Sequence, residues 1–199
     1  FEWMVDEQFR QHPNGRFMVG VTRITQLEEI NRTLGLDRSE RLLKAMAEQM
    51  IKLAAGLPMV HSTVNSEGRE ELVYQLSGDS FGLLVDISKT GDDFKSLDNA
   101  LKQLAEPVLL DNIAIEANPR FGAASFPEHG KKAALLIRNA HVGMEMAPHG
   151  PHQTGLYSRK NDIYDESRLT LMSDLREALH NNQTQLYYQP KTNLATGKV

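Results

Sequence analysis

Cysteine is absent from this chain of 199 residues, and that absence excludes several classes of protein at once. A chain without cysteine has no disulfide framework, no thiolate metal site and no cysteine nucleophile. The absence is also compatible with a reducing compartment, so we expect a cytoplasmic protein.

Long apolar runs are lacking as well. No stretch of about 18 apolar residues occurs, and the pattern of a signal peptide is missing at residue 1. The chain begins with Phe1 and stops inside the polar stretch "TNLATGKV". We therefore interpret the sequence as a piece of a longer protein, in which any anchor in the inner membrane would lie in a missing segment.

An excess of positive charge is the third absence. The chain has 22 Lys and Arg against 26 Asp and Glu, a net charge of -4, which argues against a nucleic-acid partner. Its 40% hydrophobic and 24% charged residues are typical of a globular protein. The length suits one ordinary domain with an appendage, or two small domains.

The hydrophobic pattern predicts alternating strands and helices. Strands are predicted over 16–24, 59–65, 71–76, 81–87 and 112–126. Helices are predicted over 1–12, 26–35, 37–56, 93–106 and 129–147. Asp37 and Glu40 have the spacing of a capping box for the third helix. Because hairpins are mixed with helices, we expect an α/β sandwich, with a mainly antiparallel sheet flanked by helices.

The chain changes character after Tyr157. A polar, charged stretch is typical of a linker, and "RLTLMSDLREALHNNQ" then predicts a new amphipathic helix. The following "LYYQP" has the pattern of a strand, but it needs a sheet that this chain does not supply.

The stretch "LVYQLSGDSFGLLV", residues 72 to 85, sets two apolar runs around a short polar insert. Such a pattern predicts a β-hairpin. Its turn contains one carboxylate, on Asp79, between Ser77 and Ser80.

These segments carry a resemblance to a known family. "LSGDSFGLLV" resembles the signature hairpin of GGDEF domains, the diguanylate cyclase family, and "INRTLGLDRSERLL", "RFGAASFPEHG" and "LIRNAHVGMEMA" resemble other segments of that family, in order. "LREALHNNQTQLYYQPKTNLATGKV" is similar to the opening of an EAL domain, the cyclic di-GMP phosphodiesterase family. The resemblance implies a degenerate GGDEF domain over 1–158. It also implies a linker with the first helix and strand of a truncated EAL domain over 159–199, where Gln189 matches a residue of the phosphodiesterase pocket.

The resemblance also implies which catalytic groups are missing. The family joins two GTP molecules with divalent metal ions held by acids on strand one and in the hairpin. Asp79 matches a metal ligand, but Ser80 stands where the family has its catalytic Glu, and Arg23 where strand one has its acid. Phosphate-facing lysines are replaced as well, by Glu28 and Pro148, with His152 near the next basic position. We therefore expect no catalytic residues in the degenerate hairpin formed by Ser77, Gly78, Asp79, Ser80 and Phe81.

Some recognition positions match the family. Asn31 and Glu40 match residues that contact guanine, although each is equally explained as a residue that caps a turn or helix. The inhibitory R-x-x-D site, which binds cyclic di-GMP, falls on Gly68 and Glu71, with Arg69 adjacent. We expect no cofactor, and Mg²⁺ only if residual GTP binding survives.

Three functions follow from the resemblance. The first is a catalytically inactive GGDEF domain that regulates or senses nucleotide between an upstream sensor and its own downstream EAL phosphodiesterase. The second is a weakly active cyclase that uses Asp79 alone. The third is a structural spacer that dimerises or positions its neighbours. The expected partners are therefore the EAL domain, the sensor region, GTP or cyclic di-GMP, and a second copy of the chain.

Overall fold

The computed structural model describes residues 1–64, 68–88, 93–148, 153–162, 164, 166–183, 185–193 and 195–196. The chain divides into two units, Phe1–Asp162 and Ile163–Val199. No helix among the described residues is long and apolar enough to cross a membrane.

The first unit alternates helices and strands. Its strands are β1 Phe17–Ile24, β2 Thr63–Val64, β3 Glu70–Glu71, β4 Tyr74–Gln75, β5 Ser80–Asp86, β6 Val108–Leu110, β7 Ile113–Ile115, β8 Pro119–Phe126 and β9 Gln153–Leu156. Its α-helices are α1 Glu2–Gln11, α2 Leu27–Leu34, α3 Leu36–Ala55, α4 Asp93–Leu101 and α5 Ala133–Glu145. Short 3-10 helices follow at Lys102–Ala105 and Arg159–Asn161.

A five-stranded sheet in the order β4-β5-β1-β8-β9 organises this unit. Each neighbouring pair is antiparallel except β8 and β9, which are parallel. The predicted α/β architecture with a mainly antiparallel sheet is therefore confirmed. The hairpins β2–β3 and β6–β7 lie outside this sheet.

Strand alternation gives the sheet two apolar faces. Phe17, Val19 and Val21 of β1 pack in one core with residues of α1 and α5. On β5, Leu84 joins that core, whereas Phe81, Leu83 and Val85 belong to cores on the other face that contain residues of α3 and α4. The alternation predicted for the hairpin strand is therefore confirmed, with helices covering both faces.

Glycines let α5 lie directly on the sheet. A Cβ at Gly122 of β8 would lie 2.0 Å from the carbonyl oxygen of Ala140, and one at Gly155 of β9 would lie 2.0 Å from that of Gly143. A Cβ at Gly143 itself would lie 2.8 Å from the backbone nitrogen of Tyr157. The helix and two strands are therefore in backbone contact, without intervening side chains.

The predicted capping box is wrong. Gly35 ends α2 and begins α3, with φ 86° and ψ 166°, a conformation essentially confined to glycine. The helix therefore starts at Leu36, which places Asp37 inside its first turn, and no side chain caps its first amides. The Ser39 hydroxyl instead donates back to the Gly35 carbonyl.

The strand before the hairpin turn is shorter than predicted. Bends at residues 72–73 separate β3 from β4, so only Tyr74 and Gln75 pair with β5. Irregular chain covers β5 farther along: the amide of Asp86 donates to Met59 at 2.8 Å, and the amide of His61 donates to Leu84 at 2.7 Å. The sequence pattern also missed β6 and β9, which are three and four residues long.

The second unit contains a helix, α6 Glu166–His180, which confirms the predicted helix. The described residues 185–193 form no strand, and the side chains of Leu186, Tyr187 and Tyr188 are 87–89% exposed. A strand gains stability by pairing, and "LYYQP" pairs with no described strand of this chain. The assignment of this unit to an EAL domain stays a prediction.

Candidate functional site

Three strands bring polar residues into one row at the end of the sheet. Arg23 of β1 lies opposite Ser80 of β5 on one side and opposite Arg120 of β8 on the other. Directly opposite residues of antiparallel strands share a face, with Cβ atoms about 5 Å apart. The two positions that the resemblance assigns to metal-binding and catalytic acids are therefore neighbours, and they hold an arginine and a serine.

The end of α5 supplies a carboxylate to both arginines. Arg23 lies on the same face of β1 as Val21, which packs against α5 residues, and its Nη1 is 3.5 Å from Oε1 of Glu145. Nη1 of Arg120 is 3.2 Å from the other oxygen, Oε2, and its Nη2 donates to the Met144 carbonyl at 3.0 Å. Like charges directly opposite each other destabilise a sheet, so Glu145 offsets the repulsion between the two guanidinium groups.

Asp79 at the hairpin turn has internal partners on both carboxylate oxygens. The hydroxyls of Ser77 and Ser80 both donate to its Oδ1, at 2.9 and 3.0 Å. The other oxygen, Oδ2, is 3.9 Å from Nε of Arg23. We call Arg23, Arg120, Asp79 and Glu145 the arginine cluster. Its two positive and two negative charges balance.

His141 lies beside this cluster, one helical turn before Glu145 on the same face of α5. Burial lowers the pKa of the His141 imidazole, and the positive charge of Arg23 lowers it further, whereas Asp79 and Glu145 act in the opposite direction. Its buried Nδ1 has no hydrogen-bond partner among the described residues. The imidazole is therefore neutral at pH 7 and leaves the charge balance unchanged.

The arginine cluster does not fit a divalent cation. Mg²⁺ prefers carboxylate oxygens and water, and the carboxylates here already accept from serines and arginines. A guanidinium in the cation's place would also repel it. Among the described residues, no group of three or more His, Asp or Glu side chains is arranged to hold a metal ion.

The predicted guanine-contacting residues lie outside the arginine cluster. Asn31 on α2 and Glu40 on α3 are exposed, on the two helices that meet at Gly35. Glu28, which the resemblance places at a phosphate-facing lysine, is exposed and paired with Arg32 at 2.5 Å. Glu28 therefore presents an acid, paired with the base Arg32, at the position where the resemblance expects a lysine.

The remaining predicted positions belong to the R-x-x-D site, to the region after α5 and to the second unit. Gly68 has φ 77° and supplies no guanidinium, while Arg69 is exposed and Glu71 lies in β3. Pro148 is exposed just after α5, and His152 lies outside the described residues. Gln189 is exposed in the second unit.

Sequence reasoning missed Arg120, His141 and Glu145. Two of them had a local signal, because Arg120 directly precedes the apolar run of β8 and Glu145 interrupts the apolar end of α5. That signal marks a charge that needs a partner, but the partner lies on another element.

Comparison with known proteins identifies related sequences. A family model described as "Diguanylate cyclase, GGDEF domain" matches residues 1–153. The cyclic di-GMP phosphodiesterase NbdA of Pseudomonas aeruginosa is 24% identical over 177 residues, which are 88% of this chain and 21% of that protein. The bifunctional diguanylate cyclase/cyclic di-GMP phosphodiesterase MucR of the same organism is 25% identical over 131 residues, 65% of this chain and 19% of MucR. The chain thus spans about a fifth of the length of these relatives.

Solved structures share the fold. The GGDEF domain of YfiN (also called TpbB) from Pseudomonas aeruginosa superimposes with a TM-score of 0.65 at 20% identity, covering 88% of this chain and 92% of that one. The GGDEF domain of DgcB from Caulobacter crescentus, solved in complex with c-di-GMP, has a TM-score of 0.60 at 11% identity, covering 78% and 87%.

Proposed function

Because this chain belongs to the GGDEF family, we propose that it is a catalytically inactive member that acts as a regulatory module in cyclic di-GMP signalling. The single observation that carries this proposal is the guanidinium of Arg23. It lies between Asp79 and Glu145, at the position where the resemblance requires a metal-binding acid.

The chemistry supports the same conclusion. Phosphoryl transfer depends on metal ions that neutralise charge on the phosphates and align the reacting oxygens. Asp79 is the one acid of the hairpin turn, and its Oδ1 accepts from Ser77 and Ser80. Ser80 cannot act as an anionic ligand at pH 7, because its hydroxyl is neutral.

Coupling to a phosphodiesterase is the second part of the proposal. NbdA is named a cyclic di-GMP phosphodiesterase, and MucR is named for both activities. The segment after residue 158 resembles the opening of an EAL domain, which is the phosphodiesterase family. In the longer protein, this module would act in the cytoplasm on its own EAL domain, in response to an upstream sensor region.

A turnover assay tests the inactivity. The purified chain with GTP and Mg²⁺ or Mn²⁺ is expected to form no cyclic di-GMP above a no-protein control by mass spectrometry. Ser80→Glu alone should also form none, because strand one still lacks its acid. Product from the wild-type chain that disappears in Asp79→Asn would overturn the proposal in favour of a weak cyclase.

A titration separates nucleotide sensing from a purely structural role. The exposed Asn31 and Glu40 leave the guanine-contacting positions accessible. Calorimetry with GTP and with cyclic di-GMP, repeated on Asn31→Ala and Glu40→Ala, measures whether these positions bind. Saturable GTP binding that both variants weaken supports sensing, whereas no heat with either ligand supports a spacer.

A further inference from the structure

Helix α5 contacts α1 at its first residue. Oδ1 of Asp6, in α1, accepts a hydrogen bond from the amide of Ala133 at 2.7 Å. That amide is among those at a helix start that have no partner inside the helix. Helix α1, which precedes β1, therefore caps α5 from outside.

A side chain in the middle of α5 binds Asp162, the last residue of the first unit. Oδ2 of Asp162 accepts from the guanidinium of Arg138 and, at 2.9 Å, from the hydroxyl of Tyr157. The same Arg138 nitrogen donates to Oδ1 of Asn139 at 2.8 Å. The chain therefore leaves the first unit from a point fixed on α5.

The end of α5 belongs to the arginine cluster. Glu145 pairs with Arg23 and Arg120, and the Met144 carbonyl accepts from Arg120. At about 1.5 Å per residue, the amide of Ala133 and the end of the helix at Glu145 are about 18 Å apart. One helix thus contacts the N-terminal helix, the C-terminal exit and the site.

The packing of α5 favours motion as one body. Its backbone touches β8 at Gly122 and β9 at Gly155, where there is no room for even a Cβ atom. Close-packed interiors transmit displacement, because no gap exists to absorb it.

We propose that α5 is a relay that couples the position of α1 to the exit at Asp162 and to the arginine cluster. The relay gives the proposed regulatory role a physical route. It depends on that role only for its biological purpose. The coupling itself is a property of the folded chain, measurable without any nucleotide, so a failure of the relay and a failure of the proposed function are distinguishable.

Hydrogen exchange tests the relay. In Asp6→Ala, the hydrogen-bonded amides of Asn161, Ser77 and Ser80 should exchange about fivefold faster than in the wild-type chain. The matched control is Glu7→Ala, on the same helix, whose carboxylate contacts Arg10 and Gln11 of α1. That variant should leave the exchange of these amides unchanged. Faster exchange confined to α1 and the first turn of α5 would overturn the relay.

A double-mutant cycle guards against simple destabilisation. Substitutions more than about 10 Å apart normally have additive effects on stability. Each single substitution, Asp6→Ala or Glu145→Gln, changes the unfolding equilibrium constant by some factor. If the relay is correct, the factor for the double variant should be at least about threefold smaller than the product of the two single factors. The control pair is Asp6→Ala with Asp111→Asn, on the β6–β7 hairpin, which should be additive. Additivity in both pairs would refute the coupling.

Discussion

The two ends of strand β1 present opposite chemistry on the same face. Phe17 lies opposite Asp86 and Phe126, and Phe126 stacks on Phe9 of α1 with ring centroids 4.1 Å apart. Six residues along the same face, Arg23 lies opposite Ser80 and Arg120. We call these the aromatic end and the charged end of the sheet.

The aromatic end stabilises the fold, whereas the charged end contains the positions that the resemblance assigns to catalysis. The aromatic end is buried, and burial of large apolar side chains is the largest favourable contribution to the stability of a folded protein. At the charged end, Arg23, Asp79 and Glu145 keep 37–39% of their side chains exposed, so their ion pairs contribute little. Residues at the charged end can therefore change while the fold persists, as the proposed loss of activity requires.

The largest expected effect is at the aromatic end. Phe126→Ala should lower the free energy of unfolding by about 3–5 kcal/mol, because it removes a buried ring that contacts Phe9 and Phe17. Denaturant unfolding measures this change. Trp3→Ala is the matched aromatic control: Trp3 is 70% exposed, and we expect a change within about 0.5 kcal/mol. Equal effects of the two substitutions would refute the assignment of the core.

The next largest effect on the free energy of unfolding is expected where α5 contacts the sheet between the two ends. Gly122→Ala places a Cβ against the Ala140 carbonyl, and we expect a loss of about 1–3 kcal/mol or more as α5 is displaced. Gly78→Ala in the hairpin turn is the control, because a Cβ there meets open space. If Gly122→Ala unfolds at the wild-type denaturant midpoint, the close contact of helix and sheet is wrong.

Lowering the pH should reduce the stability of the fold at both ends of the sheet. Burial lowers the pKa of His129, whose ring contacts Tyr157 in the core that contains Phe126, and of His141, beside Arg23. The histidines of the unfolded chain take up protons near their ordinary pKa of about 6.5, whereas these two histidines of the folded chain are still neutral at that pH. Stability therefore falls as the pH drops from about 7 through about 6.5. Protonation of His129 also competes with the hydrogen bond that its Nδ1 accepts from the Ser125 amide at 2.9 Å.

Unfolding midpoints between pH 7.5 and 5 measure this loss. His129→Gln and His141→Gln should each flatten the pH dependence, and the double variant more so. A stability that stays constant over this range in the wild-type chain would contradict neutral, buried imidazoles.

The smallest effect is expected at the charged end itself. Arg23→Gln should change the free energy of unfolding by less than about 1 kcal/mol, because half-exposed ion pairs are screened by solvent and Gln keeps a hydrogen-bond donor. Thermal unfolding at low and high salt measures it. A loss of several kcal/mol would mean that the charged end contributes as much as the aromatic one.

Sequence alone predicted the fold class and the two faces of the hairpin strand. These rest on period-two alternation in the strands and on the resemblance to the GGDEF family. The partners of Arg23 were missed because β8 and α5 lie about a hundred residues later, and local pattern does not encode which charges meet. Strand β9 was missed because four residues with a central glycine gain their order from β8 rather than from their own propensity.

The irregular segment around Met59 and His61, which hydrogen-bonds to β5, affects how readily the sheet can add another strand. An uncovered strand edge offers free amides and carbonyls to any extended segment, and so nucleates aggregation or strand exchange. Here β4 covers the start of β5, and Met59 and His61 already hold the Asp86 amide and the Leu84 carbonyl. This bent segment is a poor template for a further strand.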